Sequence, residues 1–183
     1  MASDLDHLEK IAPLVNALEA GGFQPVLVGG MALVILGSQR ITRDFDFLVS
    51  AQTVSSDLME AIYREGYELV TKFEPAGVVK RTIDNPAVAA ARLKMDKPPS
   101  VFFFNWTTRL KIDLLLDFPL PAQDLAGRAA KLSTASGFVR VASPEDLLRL
   151  KEIAFADRKS ASDAQDLEFL RRLLGTRKGR RRR

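Results

Sequence analysis

The sequence predicts an α/β fold: a small mixed sheet with flanking helices and a helical pair at the C-terminal end. Residues 25–50 have the pattern of a short strand, a Gly-Gly turn, a short apolar helix and a second strand. Residues 67–117 contain segments in which apolar and polar side chains alternate, as in half-buried strands. Residues 3–20 and the segment after Pro144 instead place apolar side chains three and four apart, the spacing of amphipathic helices.

The other elements follow in order. The first helix, over residues 3–20, begins at a Ser-Asp cap and ends at a Gly-Gly pair. Further helices are predicted over residues 53–65, 87–94 and 124–132, from Ser143-Pro144 onward, and over 162–174. Further strands are predicted over residues 67–73, 77–82, 101–106, 108–117 and 137–141. We assign residues 1–142 to one domain, 143–175 to helices that complete a cleft, and 176–183 to a basic disordered tail.

Composition excludes several kinds of chemistry. The chain has 183 residues, 46% of them hydrophobic, which suits one domain with a helical appendage. It contains no cysteine, so disulfides, thiolate catalysis and cysteine zinc sites are excluded. His7 is the only histidine, which argues against a Ser-His-Asp triad or a histidine-based metal site. Acid–base chemistry must therefore rest on Asp and Glu.

Charge and hydropathy predict the cellular location of the protein. No run of about 18 apolar residues predicts a membrane span, and no export leader is present, so we expect a cytoplasmic protein. The tail 177–183 holds six of the 27 basic residues, and without it 21 basic residues face 23 acidic ones, a net charge of −2. The tail has two interpretations: it contacts RNA or another polyanion, or it only keeps the chain soluble.

The strongest chemical signal is the acidic pair Asp44 and Asp46 on the strand that closes the 25–50 unit. Residues two apart in a strand point to the same face, so both carboxylates project together while Phe45 and Phe47 point to the core. Two adjacent carboxylates repel each other unless one is protonated or a cation lies between them. Mg²⁺, which prefers oxygen ligands, is the usual cation. The alternative is an exposed strand face with two solvated acids.

Gly29 and Gly30 stand where the first strand of this unit passes into a helix. Without side chains, the backbone N–H groups of such a turn can contact an anion, and the helix N-terminus favours negative charge. The alternative is a tight turn, where glycine is the default residue. A Rossmann-type cofactor site is excluded because the G-x-G-x-x-G spacing is missing.

Taken together, this segment resembles the signature of the DNA polymerase beta-like nucleotidyltransferase superfamily. The residues that carry the resemblance are Gly29, Gly30, Gly37, Arg40, Thr42, Asp44 and Asp46. The form GGMALVILGSQRITRDFDFLV is most similar to the bacterial AbiEii-type toxins. The resemblance implies a palm-like sheet and transfer of a nucleoside monophosphate from a nucleoside triphosphate to a hydroxyl, with Mg²⁺ or Mn²⁺ as cofactor.

The resemblance also implies a third carboxylate on a later strand. Asp113 in KIDLLLD fits it, and would complete the metal site with Asp44 and Asp46 and help to deprotonate the acceptor. The alternative is that Asp113 lies on the solvent face of a half-buried strand beside Lys111. Asp117 is less favoured because it falls where the strand ends.

The helix after Pro144 places two cations, Lys151 and Arg158, within its inward arc. Basic side chains often lie over apolar surface with their tips in water, which is the structural interpretation. The segment also resembles the second conserved part of AbiEii-like proteins, in which a lysine, an arginine and a spaced acidic pair follow the sheet. The matching positions here are Lys151, Arg158, Asp163 and Asp166. Ser162 departs from the pattern, because a lysine commonly stands there, so substrate contact at this point is in question.

The resemblance therefore implies a catalytic set, Asp44, Asp46 and Asp113, and substrate contacts at Arg158, Asp163 and Asp166. The implied nucleotide-binding set is Gly29, Gly30, Arg40, Thr42, Arg43 and Lys151. The favoured acceptor is RNA such as tRNA, in a toxin–antitoxin setting with an antitoxin partner and no membrane. Alternatives are a protein or small-molecule acceptor, a nucleotide-binding module without turnover, and a nucleic-acid-binding protein that acts through its tail.

The aromatic run 102–106 is the remaining feature. We interpret Phe102, Phe103, Phe104 and Trp106 as the core and edge of a sheet rather than as a platform for stacking bases.

Overall fold

The computed structural model describes residues 2–180 apart from 43, 51, 53, 76 and 136, and the side chains of that part from residue 8 to residue 176. Seven helices lie in this described part: α1 (Ala2–Ala20), α2 (Gly29–Ile35), α3 (Ser56–Arg64), α4 (Pro86–Asp96), α5 (Ala122–Ala126), α6 (Pro144–Arg158) and α7 (Ala161–Arg180). The eight strands are β1 (Val26–Val28), β2 (Phe45–Val49), β3 (Tyr67–Phe73), β4 (Val79–Ile83), β5 (Ser100–Asn105), β6 (Lys111–Leu116), β7 (Ala130–Thr134) and β8 (Gly137–Val141).

All eight strands form one mixed sheet in the order β4-β3-β5-β6-β2-β1-β8-β7. The pairs β2–β6 and β1–β8 are parallel, and the remaining pairs are antiparallel. The predicted fold class is confirmed, including the C-terminal pair of helices, α6 and α7, which pack against each other.

The two faces of the sheet differ in chemistry because side chains alternate along each strand. Phe45 and Phe47 on β2 lie opposite Ile112 and Leu114 on β6, and all four are completely buried. Helices α1 and α3 supply much of the covering layer through Ile11, Leu14, Leu18, Leu58 and Ile62. The other face carries Asp46 and Asp113, which form the next pair in the same register. The β2 pattern therefore buries its phenylalanines and directs its acid to the opposite side.

Local sequence signals explain where several helices begin. The Ser55 hydroxyl accepts the Leu58 N–H at the start of α3, and the Asn85 side chain accepts two N–H groups at the start of α4. At the start of α6, Ser143 accepts the Asp146 N–H, and Pro144 occupies the first turn, where it leaves no backbone donor unpaired.

Three predicted elements need correction. The helix predicted over residues 124–132 ends at Ala126, because residues 130–134 form an antiparallel hairpin with β8 that pairs Leu132 with Val139. The strand predicted over 108–117 begins only at Lys111, since residues 106–110 form a turn. The predicted disordered tail is helical as far as Arg180, consistent with the high helix propensity of arginine and lysine.

None of the helices in the described part of the chain is both long enough and apolar enough to cross a bilayer.

Candidate functional site

A cleft of about 760 Å³ lies between the acid-bearing face of the sheet and helix α6. Its lining includes most of the residues predicted from the sequence: Gly29, Gly30, Arg40, Thr42, Asp44, Asp46, Asp113, Lys151, Arg158 and Asp163. Asp166 does not line the cleft but bonds two residues that do. Arg43 lies outside the described residues. The fold thus brings together two motifs that are more than 100 residues apart in the sequence.

Asp46 and Asp113 face each other across two parallel strands. Their Cα atoms are register partners in the β2–β6 pair, and each side chain points to the cleft face. Neighbouring strands are about 4.8 Å apart, so the two carboxylates are forced into proximity by the backbone itself. Asp44 precedes the first residue of β2, so it belongs to the incoming loop rather than to the strand. Its side chain is 53% exposed at the mouth of the cleft.

The two glycines make room for charged side chains. Gly29 has φ +63°, and a Cβ at this position would lie 1.8 Å from Asp46 Oδ2. A Cβ on Gly30 would lie 2.8 Å from Arg40 Nε and 3.3 Å from Thr42 Cβ. The Gly30 N–H also bonds the Asp46 carboxylate. In this structure the Gly-Gly turn therefore positions an acid at the start of a helix, a role that the sequence did not indicate.

Burial and mutual repulsion raise the pKa of both paired acids. Burial, then the charge of Asp44, raises the pKa of Asp46, although Lys151, the Gly30 N–H and Arg40 act in the opposite direction. Burial, then the charge of Asp46, raises the pKa of Asp113 to about 7, against the lowering effects of Lys111 and the Ser100 hydroxyl. A shared site for two ionised carboxylates is unfavourable without an added cation.

Lys111 is the cation that partly compensates these acids. Its Nζ lies 3.0 Å from Asp44 Oδ2 and draws Asp44 toward β6. The sequence placed Lys111 on the face of Asp113 but did not predict its pairing with Asp44. The useful signal was the two-residue spacing of Lys111 and Asp113 on one strand.

These carboxylates fit a divalent cation. Asp113 Oδ1 is buried and has no hydrogen-bond partner among the described residues, and an oxygen in this state can serve as a metal ligand. No cluster of three acidic or histidine side chains in the described residues converges tightly enough to count as a preformed metal site. Asp44, the third candidate ligand, has its carboxylate paired with Lys111.

The helical wall of the cleft is a network of alternating charges. Lys151 Nζ lies 3.1 Å from Asp163 Oδ1 and 2.7 Å from Asp166 Oδ2. Asp166 also bonds Arg40, and Arg158 Nη2 lies 3.3 Å from Asp163 Oδ2. Helix α6 is thus connected to helix α7 and to the loop before β2. The predicted substrate acids Asp163 and Asp166 have internal cations as partners.

Ser160 completes this network and was missed in the sequence. Its hydroxyl donates to Asp163 Oδ2 at 2.6 Å and accepts the Asp163 N–H. Burial opposes ionisation of Asp163, but the bonds from Ser160 and Lys151 together outweigh it and lower its pKa. The signal was present as Ser-x-x-Asp, a capping pattern at the start of α7.

Asp117, the less favoured candidate, has a structural role. It accepts the Ser50 hydroxyl at 3.1 Å and the Ala122 N–H at 2.7 Å, and so fixes the turn that leads into α5. The distinction made from the sequence, that Asp113 lies within the strand and Asp117 at its end, agrees with this placement.

Comparison with solved structures identifies the class of fold. The lincosamide antibiotic adenylyltransferase LnuA, with lincomycin bound, matches with a TM-score of 0.53 and 12% identity over 90% of this chain and 96% of that chain. An antigenic nucleotidyltransferase-like protein from Paracoccidioides brasiliensis matches with a TM-score of 0.48 and 18% identity over 88% of this chain and 74% of its own. The fold is that of the nucleotidyltransferases.

A family model narrows this class. Residues 13–180 match the family described as nucleotidyl transferase AbiEii toxin, type IV TA system. The chain therefore belongs to the AbiEii family and is a nucleotidyltransferase, as the resemblance implied. A search of curated proteins found no match.

Proposed function

We propose that this enzyme transfers a nucleoside monophosphate from a nucleoside triphosphate to an acceptor hydroxyl, with RNA such as tRNA as the favoured acceptor. In this proposal the reaction depends on Mg²⁺ or Mn²⁺, and the chain is the toxin of a toxin–antitoxin pair that includes an antitoxin protein. The observation that carries the proposal is the register pair Asp46–Asp113, whose raised pKa values reflect two acids in need of a cation.

Asp44, Asp46 and Asp113 are the residues that would hold the metal. Bound there, Mg²⁺ would neutralise the charge of a triphosphate chain and stabilise the attacking and leaving oxygens of an in-line displacement. Asp113 has a second task. In this proposal its carboxylate accepts the proton of the acceptor hydroxyl.

Backbone and cationic groups around the cleft would receive the phosphates. Gly29 and Gly30 begin α2 at the cleft, where the helix N-terminus favours an anion. The ammonium group of Lys151 has three N–H donors, and its ion pairs with Asp163 and Asp166 use two of them. The third can reach a phosphate oxygen of the leaving pyrophosphate. Arg40, Thr42 and Arg43 would add charge and hydrogen bonds from the loop before β2.

This division of labour gives the three segments of the chain their proposed roles. Residues 1–142 carry the acids, and residues 143–175 form the opposite wall of the cleft with Lys151 and Arg158. In this proposal Asp163 and Asp166 act on the substrate by holding these cations in place. The basic residues of 176–183 add attraction for a polyanionic acceptor.

The experiment is a transfer assay. The protein is incubated with each labelled triphosphate, Mg²⁺ and total cellular RNA, beside Asp44→Ala and Asp157→Ala. Asp157 is the matched control because it lines the same cleft from the helical wall. We expect the wild type and Asp157→Ala to label RNA and to release pyrophosphate. Neither product should form with Asp44→Ala or when the metal is removed.

The other outcomes separate the alternatives. Pyrophosphate release without labelled RNA would redirect the search to protein or small-molecule acceptors. Metal-dependent nucleotide binding without turnover would indicate a regulatory module. Binding of RNA that is lost only when residues 177–183 are removed, with Asp44 irrelevant, would indicate a nucleic-acid-binding protein.

Growth arrest on expression tests the toxin role. The wild type should arrest growth and Asp44→Ala should not, at equal protein levels. Equal growth of both strains would contradict the assignment as a toxin.

A further inference from the structure

The sheet face that carries the acids continues into a surface of aromatic rings. Across the strands, Asp46 on β2 is the register partner of Asp113 on β6, which is the partner of Phe102 on β5. In the next row, Lys111 is the partner of Phe104. Residues in such rows share one face, so these rings lie on the side of the candidate catalytic acids. Only Phe103 points the other way, where it is completely buried in the core.

Two cations lie over these rings. Lys111 Nζ is 5.6 Å from the centroid of Phe102 and 5.9 Å from that of Phe73. Arg109 Cζ is 5.2 Å from the centroid of Phe104 and 5.7 Å from that of Trp106. These are cation–π distances, and each cation bridges two rings. We call this set the aromatic strip: Phe73, Phe102, Phe104 and Trp106, with Arg109 and Lys111.

The strip is exposed at its outer end. Trp106 is 43% exposed and Phe73 is 37% exposed, although both are large apolar side chains. The indole N–H of Trp106 contacts Glu68 Oε2 at 3.3 Å and Thr82 Oγ1 at 3.2 Å, so the edge of the ring is fixed. Glu68 is the acid at this outer end, and the Thr82 hydroxyl also donates to it.

The turn between β5 and β6 is built to present Arg109. Asn105 accepts the N–H groups of Thr107 and Thr108 through its side chain and that of Arg109 through its backbone oxygen. Arg109 itself has φ +60°, a conformation that is unusual for a residue with a long side chain. No carboxylate lies within ion-pair distance of Arg109 in the described part of the chain.

Aromatic faces alternating with positive charge match one ligand chemistry. Bases stack on rings and on guanidinium planes, while phosphates bind cations, and single-stranded nucleic acid offers both in alternation. A plain protein interface would not need positive charge over each ring pair, and a duplex hides the faces of its bases. The strip also leads inward, because Lys111 lies 3.0 Å from Asp44 at the mouth of the cleft.

We propose that the aromatic strip binds the single-stranded end of a polynucleotide acceptor and guides its terminal hydroxyl to Asp113. As a binding site, the strip stands independently of turnover; as an acceptor site, it rests on the proposed function. The interpretation of residues 102–106 as core and edge of a sheet holds for Phe103 and Phe104, which are buried, and the proposal adds a stacking role at Phe102 and the exposed Trp106.

The test uses the full chain and a defined probe: a fluorescein-labelled ten-nucleotide oligouridylate with a free 3′ hydroxyl, and the same strand annealed to oligoadenylate. The variants are Trp106→Ala and Arg109→Asn. Asparagine tolerates positive φ, so the second variant removes the cation and keeps the turn. Matched controls are Val88→Ala and Arg92→Gln on α4, both at exposed positions. Thermal melts check that each variant is folded.

We expect the single strand to bind at least tenfold more tightly than the duplex. Trp106→Ala should weaken binding about tenfold, in the range for loss of one stacked base. Arg109→Asn should weaken binding about fivefold. It should also lower the slope of log affinity against log salt concentration by the contribution of about one phosphate contact. Val88→Ala and Arg92→Gln should stay within twofold of the wild type.

Several results would overturn the proposal. These are unchanged affinity in both strip variants, equal binding of duplex and single strand, or binding that disappears only when residues 177–183 are deleted. The transfer assay separates this failure from failure of the function. Labelled RNA with an unchanged KM for RNA in Trp106→Ala would end the strip proposal and leave the enzyme assignment intact. Strip-dependent binding without any transfer to RNA would leave the site and end the acceptor assignment.

Discussion

The two walls of the cleft manage charge in opposite ways. On the sheet, Asp46 and Asp113 adjoin each other, and burial with mutual repulsion raises both pKa values. On the helices, Lys151 alternates with Asp163 and Asp166, and the pKa of Asp163 is lowered. On the first wall Lys111 compensates the acids only in part, whereas the second wall satisfies its own charges. The sheet wall is therefore suited to recruit an ion, and the helical wall to stay rigid while it does so.

The difference has a simple physical origin. Parallel register fixes Asp46 beside Asp113 whatever their charge, because the backbone ladder sets the spacing. Side chains from separate helices can instead choose oppositely charged partners. The repulsion between the two acids thus lies in the sheet, where the backbone maintains their spacing. The stabilising ion pairs lie in the helices. The predictions that follow test this contrast.

The largest expected effect is loss of turnover in Asp46→Asn. Asparagine keeps an oxygen to accept the Gly30 N–H but removes the charge, so transfer should fall at least about a thousandfold, equivalent to roughly 4 kcal/mol of barrier. The free energy of unfolding without metal should be unchanged or higher, because a buried repulsive charge is removed. Label transfer and urea unfolding check the two parts. Asp157→Asn should match the wild type in both assays, and full turnover in Asp46→Asn would refute the assignment of this wall.

Gly29→Ala, compared with Gly22→Ala, tests whether the Gly-Gly turn positions Asp46. Both glycines have positive φ, +63° and +80°, so both substitutions should cost about 1–2 kcal/mol of backbone strain. Only at Gly29 does the added Cβ meet Asp46, at 1.8 Å, while nothing lies within 4 Å at Gly22. We expect transfer to fall about a hundredfold, roughly 3 kcal/mol of barrier, in Gly29→Ala alone. Equal activity of the two variants would show that Asp46 is not held by the turn.

Asp166→Asn tests the helical wall through stability. Asp166 is 4% exposed and bonds both Arg40 and Lys151, so loss of its charge should cost about 2–3 kcal/mol. The control is Glu168→Gln, whose exposed pair with Arg172 should contribute less than about 0.5 kcal/mol. Denaturant unfolding measures both. A change for Asp166→Asn no larger than that of the control would mean that the network is not stabilising.

The remaining effect is a pH dependence of stability. Asp113 has a pKa of about 7 when folded and 3.8 as its ordinary value, so between these pH values the folded state binds more protons than the unfolded state. Stability without metal should therefore fall as pH rises from about 4 to 7 and then level off, while the raised pKa of Asp46 acts in the same direction.

Thermal melts measure this slope. Asp113→Asn should flatten this slope of Tm against pH, and the exposed Asp124→Asn should leave it unchanged. Mg²⁺ should raise Tm more at pH 7.5 than at pH 5, because it binds the ionised acids. A wild-type slope that survives in Asp113→Asn would contradict the assignment of the titrating group.

Local patterns were sufficient for most of the fold. The alternation in residues 45–49 placed the phenylalanines in the core and Asp46 on the opposite face, and the structure agrees. The Ser143-Pro144 start of α6 was also correct. The failure at residues 124–132 has a physical cause. Ala130–Thr134 carries no clear strand pattern of its own, and its conformation is set by pairing with β8.

The sequence by itself determined the family and predicted the three acids and the cations of α6, because the motifs that carry the resemblance depend on residue type and local spacing. Only the tertiary structure decided which charges meet: Asp44 with Lys111, Asp166 with Arg40, and Asp46 with Asp113. It also showed that Gly29 makes room for Asp46 and that alternate aromatics of β5 share a face with the acids. Such contacts depend on strand register and helix docking, which long-range packing fixes and no local spacing encodes.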